Sequence, residues 1–261
     1  MEPDYLDVTE IAGNEVSTEQ IQRLCNRYYW AGSYCSGKDV VEAACGTGQG
    51  VGYLSRLART FDAGDYSEEI LNIARRHYDD RVRLHRFDAM DLPFDRCSKD
   101  VIILFEAIYY LPDAEKFIKE CARVLRPGGQ LLIATANKDL YDFNPSPQSF
   151  AYYGVVELNE MLSKSNFSPD FFGDTPVDKV SFRQKMLRPV KKMVVTSGLM
   201  PKSMAGKKLL KKLVFGNLVI MPAEIDAETS VFVEPSLIPS DRPDYGHKVI
   251  LCAATLQPET E

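Results

Sequence analysis

VVEAACGTGQG, residues 40–50, is the stretch whose reading decides the fold. An apolar run enters a cluster of glycines, and an acid, Glu42, stands four residues before the first of them. After the glycines, Val51, Leu54, Leu57 and Ala58 recur at helical spacing over 48–59. A strand, a glycine turn and a helix make the first half of a β-α-β unit. Glycine there lets the chain turn sharply and lets a ligand approach the backbone with no Cβ in the way.

The same rhythm repeats downstream. The sequence predicts strands over 60–63, 81–87, 100–105, 130–136 and 248–255, and an extended stretch over 167–172. Residues 101–105, VIILF, are apolar throughout, as a central strand buried on both faces should be. Helices are predicted from Ser67, a capping residue followed by Glu68 and Glu69, and over 113–125 and 155–165. The expected fold is therefore α/β: a doubly wound, seven-stranded, mostly parallel sheet with helices on both faces and a helical cap insertion before the last strand. Residues 1–36 are read as a helical lid, 37–172 as the core, 173–246 as the cap, and 247–261 as the final strand and tail.

Composition narrows the class. The 261 residues are 45% hydrophobic and 26% charged, values ordinary for a globular chain. No apolar run reaches membrane-spanning length, and the acidic opening MEPDYLDVTE has no apolar core, so a cytoplasmic protein is expected. Six cysteines without a CxxC pair, and three histidines, give no metal-ligand spacing, so no metal site is expected. The net charge of −6 is uneven: eleven of the 31 Lys and Arg, and no acid, fall in 179–221. Within that stretch KKLLKKLVF, 207–215, is amphipathic at helical spacing. It is a cap packed on the core with solvated lysines, a peripheral membrane contact through 183–215, or a holder for a phosphorylated acceptor. The acidic remainder and the lack of aromatic–basic interleaving argue against nucleic acid.

Two cofactor classes use a glycine turn after a first strand. A dinucleotide site needs Gly or Ala at the third position of G-x-G-x-x-G, and here Val51 stands there. Glu42 would also repel a pyrophosphate. S-adenosyl-L-methionine carries no phosphate and bears an ammonium and a sulfonium, so an acid beside the turn becomes favourable.

The ordered segments EAACGTG (42–48), AGDYS (63–67), FDAMDLPF (87–94) and RVLRPGGQL (123–131) together resemble the class I S-adenosylmethionine-dependent methyltransferases, a Rossmann-like family. The resemblance covers roughly 39–136 and the last strand. It implies that Asp65 accepts from both ribose hydroxyls, that Asp88 and the Ala89 amide read the adenine edge, and that Glu42, Ala44, Gly46, Gly48, Tyr66 and Phe105 complete the cradle. Arg27, beside Tyr28 and Trp30 in the lid, is the candidate partner of the cofactor's carboxylate.

The acceptor should lie past the fourth strand, at Glu106, Tyr109 and Tyr110. Glu106 is the candidate base or orienting group, with Tyr109 beside it; the alternative is a turn cap. The loop FNPSPQS (143–149) and the basic stretch resemble methyltransferases of bacterial surface-saccharide and specialised-metabolite genes. That implies a small-molecule or saccharide-type acceptor, free or carried on a lipid, methylated at oxygen or nitrogen. A macromolecular substrate and a non-catalytic cofactor-binding regulator are the alternatives. The absence of an Asn-Pro-Pro-Tyr-like tetrapeptide after 101–105 weighs against nucleobase or glutamine amines.

Overall fold

The central strands are buried on both faces, with successive side chains entering opposite core layers. In the computed structural model, which describes residues 9–146, 148–178 and 218–258, the first regular element is a short strand, β1 (Glu15–Ser17). Ser17 then caps helix α1 (Thr18–Cys35) through a capping box: its hydroxyl accepts from Gln20 N at 3.2 Å, and its own N–H donates to Gln20 Oε1 at 3.1 Å. There follow β2 (Asp39–Ala43), α2 (Val51–Ser55), β3 (Thr60–Asp65), α3 (Glu68–Tyr78), β4 (Arg83–Arg86) and β5 (Lys99–Phe105). The second half comprises α4 (Ala114–Val124), β6 (Leu125–Ala136), α5 (Val155–Lys164), β7 (Phe167–Pro176), β8 (Leu218–Ile220), β9 (Ser236–Ile238) and β10 (His247–Leu256).

The main sheet runs β4-β3-β2-β5-β6-β10-β7-β9. The four ladders from β4 to β6 are parallel, and β10 lies antiparallel between β6 and β7. Successive residues of β5 face opposite ways. Ile102 and Leu104 join α4 and α5 in one core layer. Val101, Ile103 and Phe105 join α1 in the other, with Leu24, Tyr28, Trp30 and Ala31. The sheet is thus doubly wound, and α1, joined by Leu54 of α2, covers its second face.

Three expectations need correction. The sheet has eight strands rather than seven, because three residues between Pro235 and Pro239 pair with β7 as an antiparallel edge. Residues 15–17 are extended, paired with β8, rather than helical. The helix predicted over 48–59 spans only Val51–Ser55, and turns lead from it into β3. The basic helix 207–215 and the proposed membrane contact 183–215 lie outside the described residues. In the described parts of 173–246 no residue is helical. Among the described residues no helix is long and apolar enough to cross a membrane.

Candidate active site

The parallel strands end together, and ligands of such sheets gather beyond their carboxyl ends. Beyond β2 the chain turns through Ala44 at φ 55°, Gly46 at φ 59° and Gly48 at φ 86°. The two glycines serve different ends. A Cβ on Gly46 would meet only the Thr9 methyl, at 3.5 Å, so this backbone faces a cavity. A Cβ on Gly48 would press on the Tyr78 ring at 2.9 Å, and the Tyr78 hydroxyl donates to Gly48 O at 2.6 Å. Gly48 therefore anchors the turn to α3 and stands behind the cavity wall.

Asp65, at the end of β3, holds the turn in place. Its Oδ2 accepts from Gly46 N at 3.0 Å and its Oδ1 from Ser67 N at 2.9 Å. Burial pushes this carboxyl up, and the backbone donors of Ser67, Gly46 and Tyr66 pull it back. Each oxygen can accept a second hydrogen bond, so Asp65 can still take a pair of ligand hydroxyls. Asp88 lies beyond β4, where Oδ1 accepts from Met90 N at 2.8 Å in a tight turn that also positions the buried Ala89.

Glu42 is fully buried and, like Gly48, stands behind the wall rather than on it. The hydroxyl of Tyr28, which does line the cavity, donates to Glu42 Oε1 at 2.6 Å. Oε2 has no hydrogen-bond partner among the described residues. Burial pushes the Glu42 carboxyl up to about 7, against the Tyr28 hydrogen bond and the Arg27 charge, which pull it down. The ordinary value is 4.5, so between pH 4.5 and 7 the folded chain keeps a proton that the unfolded chain has shed. Stability from this group is present at acid pH and lost as pH rises through that window, by about 3 kcal/mol in all. In Glu42→Gln this loss should vanish, so urea unfolding at pH 5 and pH 8 should show the parent losing ground to the variant. A parent and variant with parallel pH profiles would contradict the assignment.

The Tyr28 ring is wedged in place. It meets Phe105 edge-on, with centroids 5.4 Å apart, and a Cβ on Gly50 would lie 2.1 Å from it. Gly50→Ala should therefore cost roughly 1–3 kcal/mol, because the ring cannot swing away without releasing Glu42. An unchanged urea midpoint in that variant would show the ring to be free.

The end of β5 supplies the remaining wall. Glu106 adopts φ 52°, a conformation uncommon for a residue with a side chain. Its N–H donates to Ala134 O at 2.8 Å, which fixes the bend. The Tyr109 hydroxyl, in a 3-10 turn at Ile108–Tyr110, donates to Glu106 Oε2 at 2.9 Å. Tyr109 stacks on Tyr152 at 4.4 Å, and its carbonyl accepts from Phe150 N at 2.8 Å. Tyr110 donates to Ser146 Oγ at 3.2 Å. The turn after β5 is thus fastened to Ser146 and to Phe150 and Tyr152.

The resulting cavity measures about 460 Å³. Of the residues singled out from the sequence, Arg27, Ala44, Gly46, Asp65, Tyr66, Asp88, Ala89, Phe105, Glu106 and Tyr109 line it. Trp30 does not; it packs between α1 and the sheet against Tyr34, Phe105 and Phe172. The lining also includes Thr9, Glu10, Arg23, Gln49, Met90, Phe150 and Val249, which the sequence reading passed over. Glu10 crosses the glycine turn, where its carbonyl accepts from Thr47 Oγ1 and Gln49 Nε2 at 2.8 and 2.6 Å. Its carboxylate takes a hydrogen bond from Arg27 at 2.6 Å, so the guanidinium expected for a cofactor carboxylate already carries an ion pair.

Acids ring the turn, and the glycine loop 44–50 contains no lysine or arginine, which suits a cationic nucleoside and not a pyrophosphate. Residues 41–133 match the family model described as a methyltransferase domain. Over these residues the core is similar to the S-adenosylmethionine-dependent methyltransferases. A probable S-adenosylmethionine-dependent methyltransferase of Mycolicibacterium smegmatis is 35% identical over 150 residues, 56% of this chain and 55% of that one. The O-methyltransferase cnsE of Penicillium expansum is 27% identical over 230 residues, 80% of this chain and 75% of that one. The chain spans about half the length of the first of the curated relatives it matches. Among solved structures, a possible histamine N-methyltransferase of Thermotoga maritima superposes with a TM-score of 0.58 at 14% identity, over 91% of this chain and 92% of that one. That likeness extends the methyltransferase fold over most of the chain.

The cavity fits S-adenosylmethionine. Asp65 has acceptor capacity for a ribose diol, Asp88 and Ala89 stand one strand further along, and the open face of Gly46 admits a close-lying ligand.

Proposed function

We propose that this protein is an S-adenosylmethionine-dependent methyltransferase acting on oxygen or nitrogen of a small acceptor, with a hydroxyl the better match. The observation that carries this reading is the Glu106–Tyr109 pair. A carboxylate held by a tyrosine hydroxyl at 2.9 Å stands at the end of the central strand, on the same cavity as the cofactor acids. The O-methyltransferase named above supports the hydroxyl.

The cofactor, when bound, supplies an electrophilic methyl group on a cationic sulfur. Asp65, Asp88, Ala89 and Gly46 hold and orient it. Glu106 Oε2 receives the acceptor's proton, and Tyr109 keeps that carboxylate pointed at the acceptor. The aromatic floor of Tyr109 and Tyr152 and the strap at Thr9–Glu10 exclude water, so alignment supplies most of the acceleration. The lining near Glu106 is apolar and aromatic (Ala107, Leu111, Pro112, Phe150). It favours an acceptor with an apolar body over a saccharide, which would need hydrogen bonds along its length.

Titration calorimetry tests the cofactor half. S-adenosylhomocysteine should bind with micromolar or better affinity, and NAD should give no heat. Binding of NAD in preference to S-adenosylhomocysteine would reverse the assignment.

A further inference from the structure

Arg23 and Arg27 stand one turn apart on α1, and both line the cavity. Their charges are treated differently. Arg27 is paired with Glu10. Arg23 has no hydrogen-bond or ion-pair partner among the described residues, and its Nε is closed off from solvent. A guanidinium stays charged at any ordinary pH, and one turned into a cavity without a counter-ion is a site awaiting an anion.

The contacts of α1 show where Arg23 enters the cavity. Glu19, one turn earlier on α1, accepts from Lys248 Nζ at 2.6 Å, which ties the start of α1 to the start of β10. Val249, the next residue, lines the cavity and pairs with Ala136 of β6. Along the strand ends the order is Asp65 on β3, the glycine turn on β2, Glu106 on β5, Ala136 on β6 and Val249 on β10. Arg23 stands one turn beyond Glu19, which is tied to β10, and one turn before Arg27, which is tied through Glu10 to the glycine turn. Neighbouring strands lie about 4.8 Å apart, so the β3 and β10 ends are separated by nearly 20 Å. Asp65 stands at the β3 end of this row, and Arg23 enters the cavity from α1, the helix whose start is tied to β10.

We propose that Arg23 selects the acceptor, and that the acceptor is an apolar hydroxy acid. Its carboxylate pairs with Arg23, its body lies against Tyr109 and Phe150, and its hydroxyl meets Glu106. The proposal rests on the methyltransferase reading. It adds a geometric demand: the carboxylate and the hydroxyl must sit at opposite ends of the molecule, because Glu106 would repel an acid placed beside the reacting oxygen. In the reaction the acceptor's O–H proton passes to Glu106 and the new O–CH3 bond replaces the S–CH3 bond. The carboxylate stays ionised throughout. Phe150, 61% exposed although its backbone is bonded to Tyr109, supplies an apolar face at the mouth.

The test uses the full chain saturated with S-adenosylhomocysteine, titrated with 4-hydroxybenzoate and with its neutral analogue 4-hydroxybenzamide. The acid should bind about 10-fold tighter or better, the effect of one charge-assisted hydrogen bond. In Arg23→Gln that preference should disappear while S-adenosylhomocysteine affinity holds. Arg23→Lys should restore part of the preference. Equal binding of acid and amide by the unaltered protein, or binding of neither, would overturn the proposal. So would a loss of S-adenosylhomocysteine affinity in Arg23→Gln, which would give the anion to the cofactor. Failure of S-adenosylhomocysteine to bind the unaltered protein at the outset would instead remove the cofactor reading, and the acceptor proposal with it.

Discussion

Asp65→Ala is expected to weaken S-adenosylhomocysteine binding by about 100-fold or more. Three losses add up in that variant. The ribose hydroxyls lose a carboxylate acceptor. Gly46 N and Ser67 N each lose a bond of 3.0 and 2.9 Å, so the glycine turn and the start of α3 are no longer tied to one side chain. Asp65→Asn separates these effects. The amide oxygen can keep one backbone bond, but its NH2 cannot accept from the second donor, so an intermediate loss is expected. The contrary result is an alanine variant that binds as well as the parent, which would place the ribose elsewhere. Thermal unfolding of the unliganded variants controls for collapse of the turn.

Glu106→Gln is expected to lower turnover by roughly 10²–10⁴-fold, the range for losing a positioned general base, with cofactor affinity unchanged. The size of the effect follows from the geometry. Glutamine can still accept from the Tyr109 hydroxyl, so the aromatic floor and the bend at φ 52° survive, and only the capacity to take a proton is lost. Tyr109→Phe should cost less, because it removes an orienting bond and leaves the base. The order Gln worse than Phe identifies Glu106 as the proton acceptor. Equal and small effects would make it a turn-former that the strand end happens to present. An amine acceptor that binds already neutral would also be spared the Gln penalty, so the magnitude bears on oxygen against nitrogen.

What could be seen beforehand was whatever short spacing encodes. The glycine turn with Glu42, the acids at 65 and 88, and Glu106 after an apolar strand each declare themselves within a few residues, because strand ends and tight turns are local. The same is true of Ser67 and of the Ser17–Gln20 capping box, although the box marked a boundary between β1 and α1 that a helical reading of 1–36 ran across. The rest depended on distant partners. Glu10 reaches the turn through the carbonyl that accepts from Thr47 and Gln49, and no spacing announces that. Gly50 reads only as part of the glycine turn and the helix predicted over 48–59; its further need, a Tyr28 ring within 2.1 Å of its missing Cβ, comes from another helix. Glu42 reads as a cofactor contact, and the fold instead sets Tyr28 in front of it. Arg23 and Val249 enter the cavity from the two ends of the chain, brought together only because β10 inserts between β6 and β7. The edge strand Ser236–Ile238 is three residues between prolines, too short for any periodicity.

The most direct test of the methyltransferase assignment is transfer itself. The protein would be incubated with methyl-labelled S-adenosylmethionine and extract from its native cells, and the label followed into small molecules. A labelled low-molecular-weight product is expected with the parent protein, extracted into organic solvent from acidified but not from alkaline solution, and lost with Asp65→Ala and Glu106→Gln. Cofactor binding by the parent protein with no label leaving the cofactor would contradict the account and make this a binding protein built on a methyltransferase core.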